Sequence, residues 1–270
     1  MDAIEREILF NRARSWVLQA GKLIRDRMDD PLTVSIKSNP KDLVTELDKE
    51  IEYFFATNIK RFYPDHLLLG EEGYGDTTIN KKKTVWIVDP IDGTMNFIHQ
   101  KQNFAIAIGI YNRGIGEIGY IYDVMNNMLY SALRNNGAYR NNIKLPPLSH
   151  NKLLLKESMV SFSHRWLIKN KFINEKIMQQ LVHDVRGVRA YGSAALGFAR
   201  VAEGALQAYI TMNLEPWDIA AGQIIVNEVG GLTTDITGGA IQFLENSSVI
   251  TAHPFVHDLL VSTYLKKAIK

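Results

Sequence analysis

Two aspartates follow an apolar stretch of the sequence, at a spacing that suits a shared cation. Asp89 comes directly after 85–88, whose β-branched and aromatic residues are typical of a strand covered on both faces. Asp92 follows three residues later, and two carboxylates this close at a strand end repel each other unless a cation lies between them. Because the chain has no cysteine and the candidate ligands are carboxylates, oxygen ligands predict Mg²⁺ or Mn²⁺ rather than Zn²⁺.

Two further carboxylates stand out by their positions. Glu71 follows a glycine at the end of a predicted strand, and Asp218 lies in the first turn of a predicted helix. Each acid taken alone could be a helix cap or a surface ion-pair partner, and Asp218 could simply favour a helix N-terminus through its charge. Taken together, carboxylates that hold Mg²⁺ are typical of phosphate chemistry, in which the ions stabilise the attacking and leaving oxygens.

The turn after Asp92 is a candidate phosphate site. Pro90 cannot donate to a sheet, so we expect strand pairing to end there. Gly93 allows a close turn and Thr94 is a suitable N-cap for a helix beginning at Met95, whose N-terminus would offer backbone N–H groups to an anion. Phosphatases with an aspartyl nucleophile carry the motif D-x-D-G-T, whose first aspartate attacks the phosphate. In this chain the corresponding position, two residues before Asp92, is Pro90, so we expect no phosphoenzyme.

The elements that would position these residues predict a mixed α+β fold with helical layers on sheets. Apolar residues at helical spacing predict a long helix over 2–30, and Thr45 with Asp48 forms a capping-box start for a second helix. The remaining predicted strands cover 33–37, 66–70, 104–111, 115–123, 127–133, 159–163, 187–190, 208–212 and 248–252, and the remaining helices cover 174–184, 193–203, 217–229 and 257–267. We expect a single domain over 1–270, with halves 1–145 and 146–270.

The composition argues against several classes of partner. The chain carries 31 basic and 29 acidic side chains, and a net charge of +2 gives no strong attraction to nucleic acid or to an anionic membrane. The N-terminus lacks the apolar core of a signal peptide, and no apolar run reaches the roughly 18–20 residues of a membrane span. We therefore expect a cytoplasmic protein without nucleic-acid or membrane partners.

Five segments, in a consistent order and spacing from about residue 5 to 260, resemble the motifs of the inositol monophosphatase family. They are 42–48, 70–73, 86–97, 189–195 and 215–222, the last continued by 228–231. The resemblance implies a layered α-β-α-β-α sandwich of the inositol monophosphatase and fructose-1,6-bisphosphatase type. It also implies a Mg²⁺-dependent phosphomonoesterase that is sensitive to Li⁺, acts on a small phosphorylated substrate and forms a homodimer.

The resemblance also implies a set of metal ligands. Glu71, Asp89 and the backbone carbonyl of Ile91 match the ligands of a first Mg²⁺ ion. Asp89, Asp92 and Asp218 match the ligands of a second. A third, weaker ion in this family lies near Glu71 and is held mostly by water, and Mn²⁺ is an expected substitute for Mg²⁺.

Catalytic and substrate residues are implied in the same way. Thr94 and Asp48 match the pair that orients and deprotonates the attacking water, and Glu71 completes the implied catalytic set. Lys37 matches a lysine near the metal-bound waters, although a lysine at a strand end is more often solvated. The implied substrate contacts are Ile91, Asp92, Gly93, Thr94, Gly192, Ser193, Ala194, Thr211 and Asp218.

The expected reaction is hydrolysis of myo-inositol 1-phosphate by in-line attack of an activated water. One departure from the family leaves the substrate open: many inositol-specific members carry an acid seven positions before Asp218, where this chain has Thr211. Glu215 is also acidic and could take over the role of that missing acid. The alternatives are the 2′-phosphate of NADP(H) and fructose 1,6-bisphosphate, with a 3′-nucleotidase acting on phosphoadenosine compounds or a non-catalytic binding role less favoured.

Overall fold

The protein alternates layers of helices and sheets. The computed structural model describes residues 1–30, 33–36, 43–148 and 153–270, so Lys37 lies outside the described residues. Within these ranges the layers run helix, sheet, helix, sheet, helix, and three apolar cores lie between and around the layers. The α-β-α-β-α sandwich expected from the sequence is therefore confirmed. None of the described helices is long and apolar enough to cross a membrane.

The first helical layer packs on the large sheet. Its elements are α1 (Ala3–Arg27), the antiparallel pair of strands β1 (Val34–Ile36) and β2 (Leu43–Thr45), and α2 (Glu46–Phe62). Trp16 of α1 stacks on the fully buried Trp86 at a centroid distance of 5.5 Å. The capping box at the start of α2 forms as the sequence predicted, because the Thr45 side chain accepts from the Asp48 N–H while the Asp48 carboxylate accepts from the Thr45 N–H.

The large sheet carries the first half of the site. Over the described residues it has seven strands in chain order, of which β3 and β4 are parallel and the following pairs antiparallel. The strands are β3 (Leu67–Gly70), β4 (Thr84–Asp92), β5 (Ala105–Asn112), β6 (Ile115–Asp123), β7 (Met128–Leu133), β8 (Gly137–Arg140) and β9 (Ile143–Lys144), and α3 (Thr94–Gln100) follows β4. The predicted meander is confirmed and extended by β8 and β9.

Two helices fill the space between the sheets. They are α5 (Ala194–Ala202) and α6 (Pro216–Glu228). α6 lies so close to the large sheet that a Cβ built on Gly109 would come within 2.7 Å of the Ala220 Cβ. The two helices touch each other as tightly, since a Cβ on Gly222 would come within 2.2 Å of the Phe198 ring. Helices from the second half of the chain therefore pack directly on the sheet of the first half.

The second sheet has five strands in the described part of the chain, in the order β11-β10-β12-β14-β13. They are β10 (Met159–Phe162), β11 (Gly187–Arg189), β12 (Ala208–Leu214), β13 (Leu232–Thr234) and β14 (Ser247–Ala252). Its outer face is covered by α4 (Glu175–Asp184) and by α7 (Pro254–Leu260), which continues through a π-helical turn (Val261–Leu265) into α8 (Lys266–Ala268). The last helix begins three residues earlier than predicted, because Pro254 occupies its first turn, where no N–H is needed.

Candidate active site

A bulge in β4 brings Asp89 and Asp92 to the same face of the large sheet. Asp89 pairs with Ala107 of β5, and Asp92 pairs with Ala105, so β4 holds one residue more than its partner over this stretch. Without the extra residue, positions three apart would point to opposite faces. The expectation that pairing ends at Pro90 was wrong, because Pro90 lies within the bulge, where its missing N–H costs no ladder hydrogen bond.

Asp89 lies at the buried centre of the site. Its side chain is 1% exposed, and its Oδ1 accepts a hydrogen bond from the Ile91 N–H at 3.0 Å. Burial raises the pKa of Asp89 well above its usual range, and the charges of Glu71, Asp92, Asp218 and Asp48 raise it further, in that order. A carboxylate in these surroundings favours a proton or a cation.

Asp92 is held by the N-terminus of α5. It accepts hydrogen bonds from the Ser193 hydroxyl and from the N–H groups of Ala194 (3.1 Å) and Ala195 (2.7 Å). Ser193 is also the N-cap of this helix, because its hydroxyl accepts from the Leu196 N–H at 3.1 Å. Burial raises the pKa of Asp92 to about 6, although these hydrogen bonds act in the opposite direction.

Asp218 completes a group of three carboxylates. It lies in the first turn of α6 and accepts the Glu215 N–H at 2.9 Å, so the capping role considered for it is present. One ligand oxygen from each of Asp89, Asp92 and Asp218 lies within 4.8 Å of the other two. Burial raises the pKa of Asp218 well above its usual range, and the charge of Asp92 adds to the effect. This oxygen donor set suits a hard divalent cation such as Mg²⁺.

Glu71 lies beside this group but outside it. β3 runs parallel to β4 and their last pair is Gly70 with Val88, so the residues that follow this pair, Glu71 and Asp89, lie at the same end of the two strands. Glu71 is partly exposed, and its charge makes the largest electrostatic contribution to the raised pKa of Asp89. The two carboxylates are therefore close enough for their charges to interact.

Asp48 and Thr94 lie next to each other, and Thr94 also contacts Ile91. Asp48 is fully buried in the capping box of α2. The Thr94 hydroxyl lies 3.4 Å from Asp48 Oδ1 and 3.2 Å from the Ile91 carbonyl oxygen, and its single proton is donated to one of these acceptors at a time. The Thr94 hydroxyl therefore lies beside a carboxylate, at a distance longer than that of a typical O–H···O hydrogen bond.

The turn at Gly93 differs from the prediction in one respect. Gly93 is itself the N-cap of α3, with φ +97°, and Thr94 is the first helical residue. A Cβ at Gly93 would lie 3.2 Å from the Asn103 carbonyl oxygen and 3.3 Å from that of Gly192, so both conformation and space favour glycine. Gly93 has no side chain with which to cap α3, so the backbone N–H groups of its first turn are candidates for binding an anion.

A cavity of about 610 Å³ opens beside the three carboxylates. Six predicted site residues line it: Asp92, Gly192, Ser193, Ala194, Thr211 and Asp218. The sequence prediction missed others, namely Met95, Asn96, His164, Arg165, Tyr191 and Tyr209. Of these, Asn96 could have been found from the sequence, because it lies inside the 86–97 segment that resembles the family. Its side chain donates to the Asn103 (2.8 Å) and Tyr191 (2.7 Å) carbonyls and so joins α3 to the loop before α5.

Comparisons with known proteins agree with this geometry. The model of the inositol monophosphatase family matches residues 5–268. An inositol-1-monophosphatase of Bacillus subtilis (strain 168) is 48% identical over 253 residues, which cover 94% of this chain and 95% of the relative. Inositol monophosphatase 1 of Bos taurus is 34% identical over 239 residues, covering 87% and 86% of the two chains.

Solved structures share the fold over nearly the whole chain. The crystal structure of 2′AMP-bound SaIMPase-II has a TM-score of 0.88 at 40% identity and covers 96% of this chain and 95% of its own. An IMPase/NADP phosphatase complexed with Mg²⁺ and phosphate has a TM-score of 0.87 at 29% identity, with 95% of each chain covered. The chain is thus a phosphatase that belongs to the inositol monophosphatase family.

Proposed function

We propose that the protein hydrolyses phosphate monoesters of small alcohols in a Mg²⁺-dependent reaction, with myo-inositol 1-phosphate as the first candidate substrate. The observation that carries this proposal is the group Asp89, Asp92 and Asp218, whose ligand oxygens lie within 4.8 Å of one another, with Asp92 and Asp218 lining a cavity of about 610 Å³. The Bacillus subtilis relative, named as an inositol-1-monophosphatase, supports the choice of alcohol.

The proposed metal ligands combine the group of three carboxylates in the structure with the ligand set that the family resemblance implies. Asp89, Asp92 and Asp218 would hold one ion, and Asp89 would share a second with Glu71 and the Ile91 carbonyl. A third, weaker ion near Glu71 and the substitution of Mn²⁺ for Mg²⁺ belong to the same proposal. When bound, the metal would lower the pKa of water and stabilise the charge that develops on the oxygens of the phosphate ester.

Asp48 and Thr94 would activate the attacking water. The Thr94 hydroxyl accepts a proton from the water and passes its own to Asp48 Oδ1, which lies 3.4 Å away. The water then attacks phosphorus in line with the leaving alcohol. Pro90 occupies the place where an aspartyl-phosphate enzyme would carry its nucleophile, so the proposed reaction is a single displacement.

The substrate would lie across the cavity. Backbone N–H groups at Gly93 and Thr94 would bind the phosphate oxygens, next to Asp92. The leaving alcohol would contact Gly192, Ser193 and Ala194, and also Thr211 on β12. These four residues line the cavity. A homodimer remains part of the proposal, and a monomer mass in solution would contradict it.

A second candidate substrate is the 2′-phosphate of NADP(H). A cavity of 610 Å³ is within the range that holds drug-sized ligands, which leaves room for a nucleotide. Arg165 lines the cavity, and its guanidinium makes no hydrogen bond or ion pair with the residues that the structure describes. A free cation there would suit the diphosphate of a dinucleotide, and two structural neighbours are described as an IMPase/NADP phosphatase and as a 2′AMP complex.

A substrate panel tests both candidates. Phosphate release is measured with inositol 1-phosphate, NADP⁺, fructose 1,6-bisphosphate and phosphoadenosine phosphate, each with Mg²⁺ and with EDTA. We expect Mg²⁺-dependent release, with inositol 1-phosphate showing the largest kcat/KM. Release that persists in EDTA would contradict the metal site, and release from none of the four would favour a non-catalytic role. The Asp89→Asn variant should be nearly inactive, and substantial activity in it would also contradict the ligand assignment.

A further inference from the structure

Glu52 is a buried carboxylate that the proposed reaction does not use. It lies on α2, one helical turn after Asp48, and its side chain is 0% exposed. Burial raises the pKa of Glu52, although two backbone hydrogen bonds act against this. Among the described residues no Lys, Arg or His forms an ion pair with it. Because a buried acid without a cation is costly, some compensating contact must hold it there.

That contact is the backbone of the loop that begins at Glu71. Glu52 Oε2 accepts the Glu72 N–H at 2.5 Å, and Glu52 Oε1 accepts the Tyr74 N–H at 2.8 Å. Both oxygens of one carboxylate are thus committed to two N–H groups of a single short segment. The backbone immediately after Glu71 is fixed to α2 by this clamp.

Gly70 leaves the space that the clamp requires. A Cβ at this position would lie 2.4 Å from Glu52 Cδ and within 2.6 Å of both carboxylate oxygens. The glycine before Glu71 is therefore required by the carboxylate packed against it. The other end of the loop is held by two hydrogen bonds of its own. The Asp76 side chain accepts the Leu68 N–H, and the Asp76 N–H donates to the Leu68 carbonyl, both at 2.8 Å.

We propose that Glu52 is a positioning residue, which holds the loop so that the Glu71 carboxylate faces Asp89. Through this clamp one helix places two groups of the site, Asp48 directly and Glu71 by way of the loop. The inference rests on the proposed function, in which Glu71 is a metal ligand. It adds that the metal affinity of the site depends on a side chain that touches neither metal nor substrate.

The test uses Glu52→Gln, which keeps the size of the side chain. The amide replaces one acceptor oxygen with an N–H₂ group, so one of the two backbone N–H groups loses its partner. In the metal-free protein we expect faster hydrogen–deuterium exchange at the Glu72 and Tyr74 amides. We expect Mn²⁺ binding, measured by calorimetry, to weaken about tenfold, the lower end of the effect of removing outer partners of metal ligands. Circular dichroism should show an unchanged fold.

Asp76→Asn is the matched control, because it alters the hydrogen bond between Asp76 and Leu68 at the far end of the same loop. It should speed exchange near Leu68 and leave Mn²⁺ affinity close to that of the unaltered protein. Equal losses of affinity in the two variants, or unchanged affinity in Glu52→Gln, would overturn the inference. If Glu52→Gln does not fold, Gly70→Ala displaces the carboxylate with its charge retained, and it should weaken Mn²⁺ binding in the same way. Failure of the unaltered protein to bind Mn²⁺ would instead overturn the proposed metal site.

Discussion

At the level of single residues, the site holds acids in surroundings that disfavour their charge. Burial raises the pKa of Asp89, Asp92 and Asp218, and the three carboxylates repel one another. Only Asp92 has strong compensation, through the hydrogen bonds from α5, and its pKa still lies near 6. Since a cation removes both the repulsion and the need for a proton, metal binding and proton release should be coupled.

The metal-free protein should therefore lose stability as the pH rises. The folded pKa of Asp92 is about 6 against an ordinary value of 3.8, so its stabilising contribution is full below about pH 4 and is lost through about pH 6. The loss should be about 1–3 kcal/mol, since one pKa unit corresponds to about 1.4 kcal/mol. Mg²⁺ should restore the stability, so thermal unfolding with Mg²⁺ and with EDTA should diverge as the pH rises. A Mg²⁺ effect on Tm that is constant with pH would contradict this expectation.

Thr94 should be needed for chemistry and not for metal binding. Its hydroxyl reaches Asp48 and the Ile91 carbonyl, so Thr94→Ala removes the proposed path from water to carboxylate. We expect kcat to fall by about 10²–10⁴-fold, the usual contribution of general acid–base catalysis. Thr94→Ser keeps the hydroxyl and should keep most of the activity. Phosphate release measured beside Mn²⁺ affinity separates the two roles, and full activity in the alanine variant would exclude this path.

Some residues of the site could be predicted from the sequence, and others could not, for physical reasons. Asp89, Asp92 and Asp218 stand at the ends of predicted elements, where carboxylates from distant parts of a chain can meet. Glu52 looked like any acid on a helix, because its role depends on a loop that follows about twenty positions later. Arg165 follows a strand and has no motif around it, so only the cavity reveals its position.

At the level of elements, β4 shows where the prediction from the sequence pattern differs from the observed structure. Its buried residues predicted a strand correctly, and Pro90 predicted an end that does not occur, because a bulge absorbs the proline and pairing resumes at Asp92. The regular helices were predicted to within a few residues, since their apolar spacing and caps are local signals. The strands β2, β8, β9 and β13, of two to four residues each, were not predicted.

The cap of α5 should serve both the helix and Asp92. Ser193→Ala removes the hydroxyl that accepts from Leu196 and donates to Asp92, so we expect a loss of about 0.5–2 kcal/mol in unfolding free energy and a lower Mg²⁺ affinity. Asn174→Ala is a matched control, because Asn174 caps α4 by accepting the Lys176 N–H at 3.0 Å. It should cost similar stability and leave Mg²⁺ affinity unchanged. Equal affinities in both variants would show that the Ser193 hydroxyl serves the helix alone.

At the level of the whole molecule, the layers bring the two halves of the chain together at the cavity. The strand end, bulge and α3 come from the first half, whereas β10, β12, α5 and α6 contribute the other walls. The layer order could be predicted from the resemblance, because it assigns the motifs to a known sandwich. It could not be derived from the element pattern alone, which is compatible with many ways of stacking sheets and helices.

Arg165 should decide between small and dinucleotide substrates, because it lines the cavity with an unpaired guanidinium among the described residues. Arg165→Ala should raise the KM for NADP⁺ by about tenfold, the equivalent of about 1.4 kcal/mol of lost charge-assisted hydrogen bonding to a phosphate. The KM for inositol 1-phosphate should change little, since the proposed binding mode places its single phosphate next to Asp92.

Arg186→Ala provides the control for that experiment. Arg186 is an exposed arginine just before β11, the edge strand of the five-stranded sheet, and it does not line the cavity. If a general positive potential attracts the substrate, both variants should raise the KM for NADP⁺ and both effects should fade with salt. If Arg165 contacts the dinucleotide, only its own substitution should do so, and the effect should persist at high ionic strength. Equal KM changes for NADP⁺ and inositol 1-phosphate in Arg165→Ala would mean that this arginine does not select the substrate.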